Sequence, residues 1–348
     1  MTYYQELRLQ KFDPDALLHI LDNTEMEHRL LAGGETEACW QRIVLGDLTI
    51  SVGDYRFPAC ITGRIPHGQV FIGLYNHLAD EVRENYRLVS PDSLLLYAPG
   101  LERHCTSLGF MGWNMLMLPV RRLQETATAL YGVELEWPSQ GIRHLDLHPV
   151  LAERLRQQLR GLLRLGKHLA SLPDEELTDS LASEELIQLL VQAIVNGARP
   201  AGRVAMLTAG QRHALATMEA CLRRWQANPG DELRASSITD TSQRMLEMAT
   251  RNAYGVTPHN WIKVAKLNVV YRDLLSGNCT SVTSACQRWG IGHMGRLAAE
   301  YRELFGESPR ETLKRLTSPG TPAGRRSYSV PRNFNRIRCA TTGHGRRA

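Results

Sequence analysis

No apolar run in the 348-residue sequence approaches the roughly 20 residues that a bilayer-spanning helix needs. The opening residues, MTYYQELRLQKF, also lack the basic-then-apolar order of a secretory leader, so a cytosolic protein is expected. The seven cysteines (Cys39, Cys60, Cys105, Cys221, Cys279, Cys286 and Cys339) are odd in number and never spaced C-x-x-C, which predicts reduced thiols rather than a disulfide framework or a zinc site. Acidic residues are missing altogether from 316–348, which carries seven bases. Residues 205–315 hold 15 bases against 10 acids, whereas residues 1–204 hold 19 bases against 26 acids. An acidic front and a basic rear point to a rear half that meets a polyanion.

What is present divides the chain. The length allows two compact domains with connecting helices. In RIVLGDLTISVGDYRF, Leu48, Ile50 and Val52 alternate with Thr49 and Ser51, the period of a half-buried strand. QVFIGLYNH, LLLYAPG and WNMLMLPV are further short apolar runs bounded by turn residues, so 1–145 reads as a β-rich sandwich or small barrel. From Pro149 the period turns helical. Leu151, Leu155, Leu159 and Leu162 share one helix face, and Leu186, Leu190, Ala193 and Ile194 share another. These connecting helices, within 146–204, either pack on the β domain or pair with a second subunit in a homodimer. NGARPAGRV, at 196–204, reads as a linker.

The rear half repeats itself. SQRMLEMATRNAYGVTP, at 242–258, aligns without a gap to HMGRLAAEYRELFGESP, at 293–309, at an offset of 51 residues. Leu246 meets Leu297, Tyr254 meets Phe305, Gly255 meets Gly306 and Pro258 meets Pro309. Each copy reads as a helix closed by glycine, followed by a polar cap and a proline that open the next helix. Ser308 and Glu311 complete a capping box. SVTSACQRWGIG, ahead of the second copy, supplies a short helix with Ala285 and a turn at Gly290, making a helix-turn-helix whose second helix is the one that enters the DNA major groove.

On these residues 205–315 resembles the DNA-binding domain of AraC/XylS-type transcription regulators, with SVTSACQRWGIGHMGRLAAEYRELFGESPRETLKR carrying the family's C-terminal signature. HNWIKVAKLN and the wording around WGIGHMGRLAAEY look most similar to the ethanolamine-operon regulators. The resemblance implies two helix-turn-helix units joined by a long helix from Pro258 to about Leu275, roughly 27 Å long. It further implies an α+β protein with a cupin-like sensor domain in front, to which DSLLLYAPGLERHC is loosely similar. A bacterial activator follows from it, located in the cytosol and nucleoid, with promoter DNA, RNA polymerase and a small-molecule effector as partners and no cofactor. Departures from the family pattern are Ala235, Ser236, Asp240 and Thr250 in the first unit, and Ile291 and Leu297 in the second.

With Leu246, Ala249 and Tyr254 inward, Gln243, Arg244, Glu247 and Arg251 face out as first-copy DNA candidates. Gln243 and Arg244 sit nearest the end that reaches base edges, where Gln suits adenine and Arg suits guanine. In the second copy His293, Met294, Arg296 and Arg302 remain available. His293 stands at the cap position, where capping or phosphate contact is expected, and Arg296 is the better base reader. The tail 316–348, with interleaved bases and aromatics, is expected to be disordered.

For the front domain Trp40, Tyr55, Phe71, Tyr75, Tyr97, Glu102, His104 and Trp113 are the candidate effector-site residues, and Glu102 among aromatics would suit a cation or amine. A metal-dependent cupin enzyme needs an H-x-H pair and a third imidazole. His67 and His77 are ten apart and His104 is alone, so neither a metal site nor enzyme activity is expected. A constitutive DNA-binding protein without a ligand is the remaining alternative.

Overall fold

A computed structural model describes residues 2–21, 24–78, 80–169, 180–196, 198–200, 206–229, 233–235, 238 and 240–317. The front half consists of β1 (Thr2–Leu9), α1 (Pro14–Leu17), β2 (Met26–Leu30), β3 (Ala38–Leu45), β4 (Leu48–Arg56), β5 (Ala59–Arg64), β6 (Val70–Leu78), β7 (Val82–Glu84), β8 (Arg87–Leu88), β9 (Ser93–Tyr97), β10 (Glu102–Ser107) and β11 (Phe110–Leu118). It continues through α2 (Val120–Tyr131), β12 (Ile142–Leu147), α3 (Pro149–Leu169), α4 (Ser180–Val195) and β13 (Ala198–Pro200). The strands form an antiparallel eight-stranded sheet in the order β1-β3-β4-β11-β6-β9-β12-β13 and a five-stranded sheet in the order β2-β5-β10-β7-β8.

The larger sheet is covered on both faces, which overturns the half-buried reading of β4. Ile43, Leu48, Ile50, Ile72, Leu74, Leu94, Leu96, Leu116 and Leu118 pack against Leu123 of α2, Leu155, Leu159 and Leu162 of α3, and Leu186, Leu190 and Ala193 of α4. The apolar faces of the connecting helices are therefore occupied by the sheet. The alternate residues turn towards the second sheet, and even Thr49 and Ser51 are buried there, the Ser51 hydroxyl accepting from Arg42 Nε at 3.4 Å. A strand buried on both faces need not alternate in polarity to be a strand. Part of the stretch read as a linker also joins this sheet: β13 pairs with β12, Asp146 opposite Arg199, while 197 and 201–205 lie outside the described residues.

The rear half is helical: α5 (Ala209–Ala227), α6 (Gln243–Tyr254), α7 (Pro258–Leu275), α8 (Val282–Arg288), α9 (Met294–Phe305) and α10 (Pro309–Thr317). The repeat is realised as two 12-residue helices, α6 and α9, each closed by a glycine at positive φ, Gly255 at 69° and Gly306 at 68°. Ser242 caps α6 by accepting from the Met245 N–H, and Thr257 caps α7 by accepting from the Asn260 N–H. The Ser308–Glu311 capping box forms in both directions. α7 is buried along both sides, Trp261, Ile262, Ala265, Leu267, Val270, Tyr271 and Leu274 among its core residues, so it serves as the spine of the rear half.

Only part of the leader of the first helix-turn-helix falls among the described residues. Leu233 and Ile238 are anchored in the core, whereas 236, 237 and 239 lie outside the described residues. Thr250, where the family pattern has an aromatic, is fully buried and spends its hydroxyl on the Leu246 carbonyl at 3.0 Å, so the smaller side chain leaves no unsatisfied group. The tail beyond Thr317, 318–348, lies outside the described residues.

Candidate nucleic-acid interface

The two repeated helices divide their residues by face. In α6, Leu246, Ala249, Thr250, Ala253 and Tyr254 are buried, and Gln243, Arg244, Glu247 and Arg251 are exposed. Met248, 44% exposed and one turn beyond Arg244, shares that outer surface. No sequence signal marks it, because a methionine in an amphipathic helix is as ordinary in a core as on a surface. In α9, Leu297, Tyr301, Leu304 and Phe305 are buried, and His293, Met294, Arg296 and Arg302 are exposed. His293 stands at the N-cap position of α9 but makes no side-chain capping bond. Its ring is not committed to ending the helix. Arg296 Nε donates to Glu300 Oε1 at 2.9 Å, an i,i+4 pair on the exposed side, so any nucleic-acid contact at Arg296 competes with that carboxylate.

The spine sets the spacing between them. α7 has 18 residues, roughly 27 Å at 1.5 Å per residue. It holds the second unit by a buried hydrogen bond from Trp289 Nε1 to Asp273 Oδ2 at 2.6 Å, just before the turn at Gly290, whose φ of 63° favours glycine. That length is about 7 Å short of the roughly 34 Å rise of one DNA turn.

In the front half Tyr55, Phe71, Tyr75, Tyr97 and Trp113 do come together, all buried between the sheets. They surround a buried ion pair. Arg103 donates from Nε and Nη2 to the two Glu84 oxygens, and Tyr75 Oη donates to Glu84 Oε1 at 2.6 Å. Beside Tyr55, Ile61, Arg103, Met111 and Trp113 lies a small void of about 10 Å³, room for one water at most. Trp113 Nε1 is buried there without a hydrogen-bond partner. Trp40 is buried under the Arg42 guanidinium, which lies 4.7 Å above its ring.

Glu102 and His104 do not join that cluster. Along β10 side chains alternate, so Arg103 turns inward and its two neighbours turn out. Glu102 is exposed and paired with Arg64 at 2.6 Å, which removes it from any amine site among the aromatics. His104 is buried against the rear half, its Nε2 2.9 Å from Tyr254 Oη.

The outer face of the five-stranded sheet thus forms a seam with the helices. Arg29 on β2 donates to both Glu219 oxygens on α5, at 3.0 and 2.8 Å, with both residues buried. Burial alone would raise the Glu219 carboxyl, but Arg29 and His104 hold it down at about 2. Burial would lower the His104 imidazole, but Cys60 and Glu219 beside it raise it to about 10. Further along the seam Arg272 on α7 pairs with Glu27, and Lys11 with Glu307 at 3.1 Å. At Gly33 an added Cβ would lie 2.0 Å from the Glu303 carbonyl oxygen of α9, so only glycine allows this approach. None of these contacts covers the exposed faces of α6 and α9. No sequence signal marked the seam, since its partners lie up to 296 residues apart.

Residues 235–315 match a family model described as a helix-turn-helix domain. Over 207 residues the chain is 27% identical to the probable thc operon regulatory protein of Rhodococcus erythropolis, covering 57% of this chain and 60% of that protein. Over 243 residues it is 30% identical to the XylDLEGF operon transcriptional activator 3 of Pseudomonas putida, covering 65% of this chain and 66% of that one. The chain therefore spans about three fifths to two thirds of these relatives' length. Neither relative's name supports the narrower grouping with ethanolamine-operon regulators. The crystal structure of the AraC-like transcriptional activator CuxR aligns over 77% of this chain and 96% of its own, at 17% identity and a TM-score of 0.37.

Proposed function

The chain belongs to the AraC/XylS family of regulators, and from that premise we propose that it is a sequence-specific DNA-binding transcription regulator, not an enzyme, acting on promoter DNA in the cytosol. The observation that carries this reading is the pair of equal helices, α6 and α9, whose outer faces stay exposed while a single buried spine holds them apart. Gln243, Arg244, Glu247 and Arg251 form the first reading surface, and His293, Met294, Arg296 and Arg302 the second. Activation through RNA polymerase is the direction supported by the P. putida relative, whose name describes a transcriptional activator.

The front half is read as the sensor. A small-molecule effector would act on the aromatic interior around Tyr55, Tyr75, Tyr97 and Trp113, and the void of about 10 Å³ means that it has to open the sandwich to enter. Opening displaces β2, β5 or β10, the strands that also form the seam with α5, α6 and α7. A route from effector to DNA follows from that shared set of strands.

Selection of bound sequences from a random DNA pool by the full-length chain tests the reading. The expected result is a two-part motif with centres about 10 base pairs apart. Failure to enrich any sequence above bulk DNA would overturn it.

A further inference from the structure

At the seam four side chains from four separate elements point at one spot. Cys60 comes from β5 and His104 from β10, while Glu219 comes from α5 and Tyr254 from α6. All four are buried. Cys60 Sγ lies 3.5 Å from His104 Nε2, which lies 3.7 Å from Glu219 Oε1 and 2.9 Å from Tyr254 Oη. Tyr254 Oη donates to the same Glu219 Oε1 at 3.2 Å. The ligand atoms of Cys60, His104 and Glu219 all fall within 4.8 Å of one another.

Hydrogen bonding alone accounts poorly for this arrangement. A ring nitrogen has one proton or one lone pair in the ring plane, so Nε2 satisfies one neighbour, yet a sulfur and two oxygens crowd it. Meanwhile Nδ1 of the same ring is buried without a partner. Once a metal takes the place of the Nε2 proton, the Nε2 lone pair faces the same point as the thiol and the carboxylate. In a tetrahedral zinc site, with metal–sulfur bonds near 2.3 Å and metal–nitrogen or metal–oxygen bonds near 2.0–2.2 Å, ligand atoms stand roughly 3.3–3.6 Å apart. The spacings around His104 bracket those edges.

We propose that Cys60, His104 and Glu219, with Tyr254 Oη closing the fourth corner, form a site for a divalent transition metal of the zinc class that bridges the front sheet and the DNA-binding helices. Binding releases two protons to solvent, one from the Cys60 thiol and one from Nε2 of the His104 imidazolium, and replaces them with a metal–thiolate and a metal–imidazole bond. Thiolate and carboxylate together match the charge of the dication. The Arg29 guanidinium keeps its 2.8 Å bond to Glu219 Oε2, while a metal at Oε1 takes the place of the Arg29 bond to that oxygen. Glu27, which also acts on Arg29, offsets the positive charge that the metal has to tolerate. Cysteine, histidine and glutamate together suit a borderline metal and exclude magnesium and calcium, which take oxygen ligands. The sequence shows no metal signature because the three ligands are 44 and 115 residues apart. A bound ion would tie Cys60 and His104 of the sensor to Glu219 of the helix that precedes the first reading unit, making the grip of the front half on α5 and α6 depend on metal.

The test is titration of the chelator-stripped, full-length chain with Co²⁺. One equivalent should produce a thiolate-to-cobalt charge-transfer absorption with the visible bands of four-coordinate cobalt, and Zn²⁺ should bleach both. Cys60→Ala should abolish the absorption and Cys286→Ala should leave it intact. Glu219→Gln should weaken the affinity tenfold or more, because it removes the ligand contributed by the rear half. If these variants fail to fold, X-ray absorption on the zinc-loaded wild type still decides: one sulfur with two or three nitrogen or oxygen neighbours is expected. Absence of a charge-transfer band in the folded wild type, survival of the band in Cys60→Ala, undiminished affinity in Glu219→Gln, or a zinc shell without sulfur would each overturn the proposal.

Discussion

Leu30 and Asn268, 238 residues apart, exchange two hydrogen bonds: the Leu30 N–H donates to Asn268 Oδ1 at 2.9 Å, and Asn268 Nδ2 donates to the Leu30 carbonyl at 2.9 Å. β2 is the edge of the five-stranded sheet, so its outward backbone groups have no strand to pair with. The carboxamide of Asn268 takes the place of that strand, and it comes from the spine of the rear half. Asn268→Leu should strand both Leu30 groups in a buried seam, at about 1–3 kcal/mol for each. Urea unfolding of the two proteins should show a loss in that range, and Asn268→Asp, which keeps the acceptor but loses the donor, should not restore it. Equal midpoints for all three would mean that the seam opens readily enough to hydrate.

Arg29 and Glu219 make a sharper case. Both are buried, so removing one partner leaves the other charged in a poorly solvated place. Arg29→Met should destabilise the chain by about 3–5 kcal/mol, whereas Arg29→Met combined with Glu219→Leu should recover most of that loss. Denaturant midpoints of the three variants check it. A double variant no better than the single one would show that the pair contributes more than mutual neutralisation.

His28 sets an acid limit on stability. Its ring is buried beneath Tyr55, with Nε2 3.0 Å from the Tyr55 hydroxyl and Nδ1 2.7 Å from the Met26 carbonyl. Burial holds its pKa down at about 3, against an ordinary value of 6.5. The unfolded chain therefore binds a proton that the folded chain refuses between those two values. Stability from this residue is present in full above about pH 6.5 and drains away as the pH falls towards 3. From pH 8 to 5.5 the loss should be about 1.4 kcal/mol from His28 alone. The slope of unfolding free energy against pH should flatten over that window in His28→Gln, and an unchanged slope would rule out a buried neutral His28.

The repeat was legible because its signals are local. Caps at Ser242 and Thr257, terminal glycines at 255 and 306, and a 3.6-residue apolar period all act within one turn of the residue that carries them, so α6 and α9 fall where the pattern places them. The aromatic cluster of Tyr55, Phe71, Tyr75, Tyr97 and Trp113 was legible as a set of inward residues, though its packing to a void of about 10 Å³ was not. His104 and Glu102 were misplaced because strand alternation fixes a face only once the register is known, and Arg103 took the inward position. Arg29, Glu219 and Asn268 were invisible. A lone charged or amide residue reads as solvated until a partner near 200 residues away removes its water.

Binding should also respond to salt. The exposed Arg244, Arg251, Arg296 and Arg302 and the bases of the rear half put the affinity largely in displaced counterions, so raising salt from about 50 to 200 mM should weaken it on the order of a thousandfold if six or more phosphates are contacted. Fluorescence anisotropy of a selected duplex at several salt concentrations gives the slope. A flat line would place recognition outside this basic surface.

The two reading helices should be separable by mutation. Arg244 is exposed, whereas Arg296 is engaged by Glu300 at 2.9 Å before DNA arrives. The sequence pattern favours Arg296 for the larger effect, because the leader of the first unit departs most from the family. The Glu300 contact works against this, since part of what Arg296 gains from DNA goes to replacing a surface pair worth about 0.3–0.5 kcal/mol. Set against the roughly 1–3 kcal/mol of a bidentate base contact, that correction leaves Arg296→Ala losing a factor of about two to a hundred in affinity. Arg244→Ala should lose less, and at bases about 10 pairs away. A base reader should relax preference at its own position only, while a phosphate contact should weaken all sequences alike. Affinities of both variants across a panel of single-base operator changes give the answer. Should every change within one half-site leave wild type and Arg244→Ala indifferent, only the second copy of the repeat reads sequence, and the first serves to position it.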